Sequence, residues 1–165
     1  MNLLELPLVR RTRRNHGLEH ATIHVLSARR PGQSIAGRST PYGFYIFGNL
    51  TAEDIHSAAE EALQRMRAGE RHLAVHPGCG TNYLTAGVFA GLAAFAALSV
   101  RSRSRWERLP NAIMAATLAL IFSAPVGPQL QSHVTTSGDM GDLEIVSVRR
   151  LSGRALMHYV ETRSS

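Results

Sequence analysis

The stretch YLTAGVFAGLAAFAALSV, residues 83–100, contains no charged side chain, and a second uncharged run, LPNAIMAATLALIFSAPVGPQL, follows at residues 109–130. At 1.5 Å per residue, helices of these lengths reach about 27–33 Å, which matches the hydrocarbon thickness of a bilayer. Both runs are rich in alanine and glycine, whose small side chains let helices pack closely in lipid. We therefore expect residues 83–130 to form a transmembrane helical hairpin.

The alternative is a buried helical hairpin in the core of a water-soluble protein. Eighteen residues are near the lower limit for a span, and Pro125 and Pro128 are expected to end the second helix early. Against this, a chain of 165 residues has little material with which to cover two such uniformly apolar helices. The sequence therefore favours the lipid bilayer as the environment of this segment.

The segment that joins the two runs, RSRSRWER at residues 101–108, has four arginines and a tryptophan, a composition typical of an interfacial turn. Its charge alone favours the cytoplasmic side of the membrane. However, the residues before the first run are also arginine-rich. The N-terminus has its apolar residues before its arginines, the reverse of a secretory signal, so translocation of this basic segment across the membrane is unfavourable. We expect the inner (cytoplasmic) membrane, with both termini in the cytoplasm.

Three histidines in RRNHGLEHATIHVL, residues 13–26, recur every four residues, and on a helix they lie along one stripe. His16, Glu19 and His20 form H-x-x-E-H, the inverted form of a zinc-hydrolase motif. Two imidazoles one turn apart can bind one ion at about 2.0–2.1 Å, and the adjacent glutamate can accept a proton from water bound to that ion. We therefore predict His16 and His20 as metal ligands and Glu19 as the catalytic base.

Further ligands are expected in HPGCGTN, residues 76–82, where His76 and Cys79 are three residues apart. The proline and glycines around them favour a tight turn that can direct an imidazole and a thiolate at one point. The turn directly precedes the first apolar run, so the site is expected near the membrane surface. These ligand types favour zinc, although nickel, cobalt and iron also suit imidazole. His24 is a candidate for an additional ligand.

The sequences on either side of the apolar runs predict an α+β fold. We assign residues 1–82 to an N-terminal α+β segment with the metal site, 83–130 to the transmembrane hairpin, and 131–165 to a C-terminal β-hairpin that packs on the N-terminal segment. The predicted elements are a helix over 15–30, two strands within 34–50 that turn at 41–43, an amphipathic helix over 51–69, a strand over 71–76, and a hairpin over 142–163 that turns at Ser152-Gly153.

NHGLEHATIH and HPGCGTN, followed by apolar helices, resemble the bacterial YqhQ-like membrane proteins, which carry similar HGAEHK and HPRCGT segments and are described as predicted metal-dependent enzymes of unknown function. The chain is still more similar to a sister family of small two-span membrane proteins, over about residues 10–150, in EHATIH, GFYIFGN and ALQRMRAGE. The resemblance implies that the site residues are His16, Glu19, His20, His76 and Cys79, and it implies no particular reaction. His24 has no counterpart in the YqhQ-like motif.

Three functions are compatible with these residues. The first is a membrane-bound zinc-dependent hydrolase, with a peptidase as one candidate, that acts on a membrane protein segment or a lipid-linked molecule. The second is a scaffold or assembly factor in which His16, His20, His76 and Cys79 close a structural zinc site. In the third, which has no metal, the RRTRR segment at residues 10–14 binds anionic lipid or RNA.

The composition restricts the classes of binding partner that we expect. The chain has a net charge of +6 at pH 7, and its one cysteine excludes an internal disulfide. No RNA-binding signature accompanies the charge, so nucleic acid is the least favoured partner. The lipid bilayer is the expected one. A second copy of the chain is a further candidate, because a two-helix hairpin has small-residue faces to cover.

Overall fold

The computed structural model describes residues 3–100, 105–151 and 156–165, and over these ranges the chain forms five α-helices and one four-stranded sheet. The predicted α+β class is therefore confirmed. The elements are α1 (Pro7–Arg29), β1 (Ala36–Thr40), β2 (Gly43–Phe47), α2 (Ala52–Arg67), α3 (Gly80–Ser99), α4 (Arg105–Ser123), α5 (Val126–Leu130), β3 (Glu144–Arg150) and β4 (Met157–Arg163). The arginines at 101 and 103 and the predicted hairpin turn at Ser152-Gly153 lie outside the described residues.

The chain divides into two compact units. The first, which we call the α+β unit, consists of Met1–His76 and Ser132–Ser165, and the second, the helical unit, is Pro77–Gln131. The boundaries lie a few residues from the predicted ends of the hairpin segment, 83 and 130. Residues from both ends of the chain thus build one unit, and the apolar runs lie in the other.

The sheet of the α+β unit is antiparallel throughout, in the order β1-β2-β4-β3. β2 and β4 are its central strands, and they alternate buried and half-exposed residues over most of their length. The buried residues pair across the two strands, Phe44 with Val160 and Ile46 with His158. The C-terminal hairpin is therefore part of the same sheet as the predicted strands on either side of residues 41–43.

The core lies between one face of this sheet and two helices. α1 packs against α2, β1 and β2, and α2 also packs against β3. α2 begins at a capping box in which Thr51 and Asp54 exchange hydrogen bonds. The predicted apolar face of this helix is confirmed, because it is buried at all six positions, Ile55, Ala58, Ala59, Ala62, Leu63 and Met66.

A buried amide sets the position of α1 on the sheet. Asn15 Nδ2 donates to the carbonyl oxygen of Thr40 at 2.9 Å, and Thr162 Oγ1 donates to Asn15 Oδ1 at 2.7 Å. Asn15 is 1% exposed, so these bonds avoid the cost of leaving a buried amide unsatisfied. Because Asn15 directly precedes His16, the same contacts determine which way the histidine stripe of α1 faces.

Two predicted elements differ from the structure. α1 begins at Pro7, eight residues before the predicted start, since proline suits the first helical position and arginine is a good helix former. The predicted strand over 71–76 is wrong: residues Arg71–Ala74 form a 3-10 helix. Gly69, at φ 109°, turns the chain before this helix. The carbonyl oxygens of Ala74 and Val75 then receive side-chain hydrogen bonds from α1 rather than a strand ladder.

In the helical unit, α3 packs against α4 and α5. By length and composition α3 is able to cross a membrane, whereas the second candidate is a broken helix, Arg108–Ser123 and Val126–Thr135, bent by 47°. The predicted early end of the second helix is confirmed, because α4 ends at Ser123, just before Pro125. Large apolar side chains on both long helices are exposed, including Leu84, Leu92, Phe95, Ile121 and Phe122.

Asp142 offers a test of how the α+β unit is held together. Its carboxylate accepts hydrogen bonds from the Ser165 backbone N–H at 2.7 Å and from Arg14 Nη1 at 2.8 Å. These bonds, with that to Ser165 as the largest cause, lower the pKa of Asp142 below its ordinary value of 3.8. The ionised carboxylate therefore stabilises the fold at pH values above 3.8, and this contribution is lost as the pH falls through the lower pKa of the folded state.

We expect Asp142→Asn to lower the thermal denaturation midpoint at pH 7, with a difference from wild type that shrinks as the pH falls below 3.8. Circular dichroism melts of the full chain from pH 7 to pH 3 measure it. A difference that does not depend on pH would show that the charge of Asp142 contributes nothing to stability.

Candidate metal centre

The histidine stripe of α1 faces two segments that are distant in the chain. Gly17 allows this close approach on one side, because a Cβ at this position would overlap the carbonyl oxygen of Ser137. The backbone N–H of Ser137 also donates to the carbonyl oxygen of Arg13 at 2.9 Å. Residues 74–76 and 135–137 thus lie along the helix beside His16, His20 and His24.

Four imidazoles of the α+β unit form one continuous group. Ring centroids are 4.4 Å apart for His16 and His20, 5.7 Å for His20 and His76, and 4.8 Å for His24 and His76. A ring nitrogen of His16 and one of His20 lie within 4.8 Å of each other. Two nitrogens bound to one tetrahedral zinc ion are about 3.4 Å apart. The structure therefore brings together predicted ligands in a group that could hold a metal ion.

Backbone carbonyl groups select the tautomer of each histidine on α1. His16 Nδ1 donates to Thr135 at 3.0 Å, His20 Nδ1 donates to Ala74 at 2.7 Å, and His24 Nε2 donates to Val75 at 2.9 Å. A carbonyl oxygen has no proton to give, so the ring nitrogen in each bond carries the hydrogen. In the neutral form of each ring, the lone pair is then on Nε2 of His16 and His20 and on Nδ1 of His24. Carbonyl groups orient metal-binding histidines in the same way.

His76 is neutral at physiological pH. Its partial burial, together with the nearby His24 and His20, lowers its pKa to about 4. An imidazole must be neutral to ligate a metal ion. His76 therefore enters the group in the protonation state that a ligand requires.

Glu19 is buried on the side of α1 that faces β1. Ser39 Oγ donates a hydrogen bond to Glu19 Oε2, and the carboxylate lies so close to Gly37 that a Cβ there would overlap it. Small residues on β1 thus make room for a charged group in the interior, and Ser39 orients it. The predicted role of Glu19 as general base stays a prediction.

Cys79 lies three residues after His76, at the N-cap of α3 in the helical unit. Three residues of chain span at most about 10–11 Å. Covalent geometry therefore limits the separation of the His76 and Cys79 Cα atoms to about that distance. Its predicted role as a ligand stays a prediction.

The remaining histidines have other surroundings. His56 is exposed on α2, as predicted. His133 contacts Ser132 Oγ at 2.9 Å through Nδ1. His158 is 1% exposed, on the core side of β4, and neither of its ring nitrogens has a hydrogen-bond partner within the described residues. Burial and nearby Arg150 lower the pKa of His158, so its buried ring is kept neutral.

Sequence reasoning missed the groups that orient the site. The carbonyl oxygens of Ala74, Val75 and Thr135 carry no side-chain signature, so no motif could indicate them. Ser39 and Gly37 carry a weak signal, since both lie in a strand two residues apart and so face the same side of it. This spacing could be interpreted only once the structure showed that both residues lie against Glu19.

The family model for the domain of unknown function DUF6391 matches residues 11–148, a range that includes both motif segments. A protein of Picosynechococcus sp., described as uncharacterised, is 36% identical over 135 residues, which are 76% of this chain and 65% of the relative. The aligned part therefore covers less than two thirds of that relative's length. No solved structure matches the chain.

The histidine group predicts that two single substitutions differ clearly in their effect on zinc affinity. We expect His20→Ala to lower zinc affinity at least about 100-fold, because it removes a proposed ligand with a ring nitrogen within 4.8 Å of one of His16. The exposed His56→Ala is the matched control and should keep wild-type affinity. Elemental analysis and competition with a chromophoric chelator measure both variants, and circular dichroism reports their folding. Equal zinc affinity in the two variants would contradict the site.

Proposed function

The chain belongs to the DUF6391 family, and from the geometry of its histidines we propose that it is a membrane-bound, metal-dependent hydrolase. The observation that carries this proposal is the selection of histidine tautomers by three backbone carbonyl groups. Half-burial beside His20 and His24 favours the neutral form of His76. Imidazoles that each donate one ring hydrogen to a fixed carbonyl acceptor keep the other ring nitrogen for a cation, and zinc is the first candidate.

The proposed ligands are His16, His20, His76 and Cys79, with His24 as a further candidate. Imidazole and thiolate are the donor set that zinc prefers. The resemblance of the two motif segments to the YqhQ-like membrane proteins agrees with this set. A catalytic site needs three protein ligands and an open position, so one of the four would be absent from the coordination shell in the active form.

The bound ion would supply a water molecule of lowered pKa. The chain's own contribution is the base that receives the proton. Glu19 is adjacent to His20 in the sequence, and the hydrogen bond from Ser39 holds one of its carboxylate oxygens. Such a bond limits the rotation of the carboxylate and so reduces the cost of orienting the proposed base.

A structural zinc site is the second candidate function. The feature that favours it is the number of ligands, since His16, His20, His76 and Cys79 are sufficient to complete a tetrahedral shell. The protein would then be a scaffold or assembly factor. In that case the ion would tie α1 to the turn before α3, and no water would be bound.

We place the site at the surface of the inner membrane. In this proposal α3 is the first membrane span, and the bent pair of α4 and α5 is the second span. This is supported by the length of α3 and by its exposed Leu84, Leu92 and Phe95. The termini would be cytoplasmic. The proposed substrates are then membrane protein segments or lipid-linked molecules, which reach the site from the bilayer.

A charge in the middle of α3 tests the membrane proposal. Leu92 is 65% exposed, at the centre of Gly80–Ser99. An arginine at the centre of a span costs about 2.5–3.5 kcal/mol on insertion scales. We expect Leu92→Arg to reduce the carbonate-resistant membrane fraction strongly and Leu92→Ile to leave it unchanged. A wild-type protein that carbonate extracts completely would overturn the membrane proposal.

Cobalt-substituted protein separates the two functions. A water bound to the ion ionises near neutral pH, so an open site predicts visible absorption that changes between pH 6 and pH 9. We expect Glu19→Gln to retain one cobalt ion per chain and to alter this titration. It should also lower hydrolysis of p-nitrophenyl acetate by about 100-fold or more, the usual contribution of a general base.

Glu53→Gln, on the exposed part of α2, is the control and should behave as wild type. A spectrum that is constant over this pH range, together with loss of a sulfur charge-transfer band in Cys79→Ser, would establish the closed structural site. Unchanged turnover in Glu19→Gln would exclude Glu19 as the base.

A further inference from the structure

A cavity of about 300 Å³ lies in the α+β unit beside the histidine group. It is lined by α1, by the 3-10 helix and by the segment after α5, through Arg13, Arg71, Ala74, Val75, Ser132, Thr136, Ser137, Gly138 and Asp139. Two of these residues are arginines and one is an acid. The cavity is at the small end of the range for ligand sites, which is about 300–1,000 Å³.

The cavity and the histidine group share a wall. Ala74 and Val75 line the cavity, and their carbonyl oxygens accept the hydrogen bonds from His20 and His24. Thr136 also lines it, directly after Thr135, whose carbonyl oxygen accepts from His16. A molecule in this cavity would therefore lie next to the groups that orient the proposed ligands.

The guanidinium of Arg13 has one nitrogen that is hydrogen-bonded to the backbone and another that has no hydrogen-bond partner within the described residues. Its Nη2 donates to the carbonyl oxygens of His133 at 3.0 Å and Thr136 at 3.1 Å. Its Nε is buried and has no hydrogen-bond partner in the part of the chain that the structure describes. A buried donor without an acceptor costs free energy.

Arg71 supplies the second guanidinium. Within the described residues its side chain has no hydrogen bond or ion pair, whereas Arg14, Arg29, Arg30 and Arg65 all pair with acids. Its side chain is exposed, and Gly138 packs closely against it, since a Cβ at Gly138 would come within 2.7 Å of Arg71 Cβ. The third charged residue, Asp139, is partly engaged, since its Oδ1 accepts from the Gly141 N–H at 3.1 Å.

We propose that this cavity is an oxyanion subsite in which Arg13 and Arg71 bind a phosphate group of the substrate. The inference rests on the proposed hydrolase and narrows its substrate to phosphate-bearing molecules. Guanidinium groups match phosphate oxygens in geometry as well as charge. Two arginines against one carboxylate give the cavity a net positive charge, and Ser132, Thr136 and Ser137 add hydroxyl groups to its wall.

A phosphate group reaches such a cavity from two sources, a phospholipid headgroup or a water-soluble phosphate ester. The chemistry of recognition is shared, so binding of inorganic phosphate reports on both. The location of the protein decides between them, because a lipid phosphate competes only when the lipid is in the same bilayer.

The test is titration of the purified, full-length protein in neutral detergent with inorganic phosphate by isothermal calorimetry, with zinc content measured on the same samples. We expect Arg71→Ala to weaken phosphate binding at least about 10-fold, the usual effect of removing one charged hydrogen-bond donor. Arg38→Ala is the matched control, since it removes the same charge at an exposed position of β1 outside the cavity. Arg13→Lys provides a second variant that keeps the charge of Arg13 and loses its fork of donors.

Two outcomes overturn the subsite. In the first, the wild type does not bind phosphate. In the second, Arg71→Ala and Arg13→Lys both bind phosphate with an affinity within twofold of that of Arg38→Ala. The zinc content distinguishes failure of the phosphate subsite from failure of the proposed hydrolase. Protein that holds zinc and fails the phosphate test lacks the subsite alone. Protein that lacks zinc and shows Arg71-dependent phosphate binding has the subsite without the metal centre.

A second arm identifies the source of the phosphate. The same titration is made in nanodiscs of phosphatidylcholine, with and without 20% phosphatidic acid. If the lipid headgroup is the natural ligand, phosphatidic acid will abolish inorganic phosphate binding in wild type. If the ligand is soluble, the affinity will be the same in both nanodiscs. Either result supports the subsite, provided that Arg71→Ala remains deficient in the phosphatidylcholine discs.

Discussion

Hydrogen bonds from the histidines of α1 to backbone carbonyl groups are the interaction on which the rest of the candidate site depends. They join the helix to residues 74–75 on one side and to residue 135 on the other. Each bond satisfies a polar group that would be costly to bury alone, and each determines which ring nitrogen carries a lone pair. The contacts that position these segments against α1 therefore also prepare the imidazoles chemically.

The orientation of α1 has its own cause one residue earlier. Asn15 links the helix to β1 and β4 through buried hydrogen bonds, while the histidines of the stripe bond to the carbonyl oxygens of Thr135, Ala74 and Val75. Glu19 lies against β1, where Ser39 and Gly37 accommodate its carboxylate. The helix thus presents a carboxylate to the sheet and imidazoles to residues 74–76 and 135.

Arginine has more than one role in the α+β unit. Most of the ion pairs that it forms on the surface are exposed, and such pairs add little stability. Arg13 and Arg71 are different because both line a cavity. Arg13 bonds to backbone carbonyl groups, whereas Arg71 is exposed and has no side-chain partner among the described residues. Sequence reasoning placed Arg13 in the RRTRR segment predicted to bind anionic lipid or RNA and counted Arg71 only as net charge. Their shared place on the cavity wall became apparent only from the tertiary structure.

The sequence by itself determined the α+β class, the amphipathic face of α2, the two hairpins and the histidine stripe, since each follows from a local period or a turn residue. It also indicated which ligand types were present in the two motif segments. It failed for residues 71–76, where hydrogen bonds to α1 replace a strand ladder, and for the start of α1. Only the tertiary structure decided the tautomers, the packing of Glu19 on Gly37 and the shared wall of the cavity. These depend on backbone groups and on contacts between residues far apart in the chain, which no local pattern records.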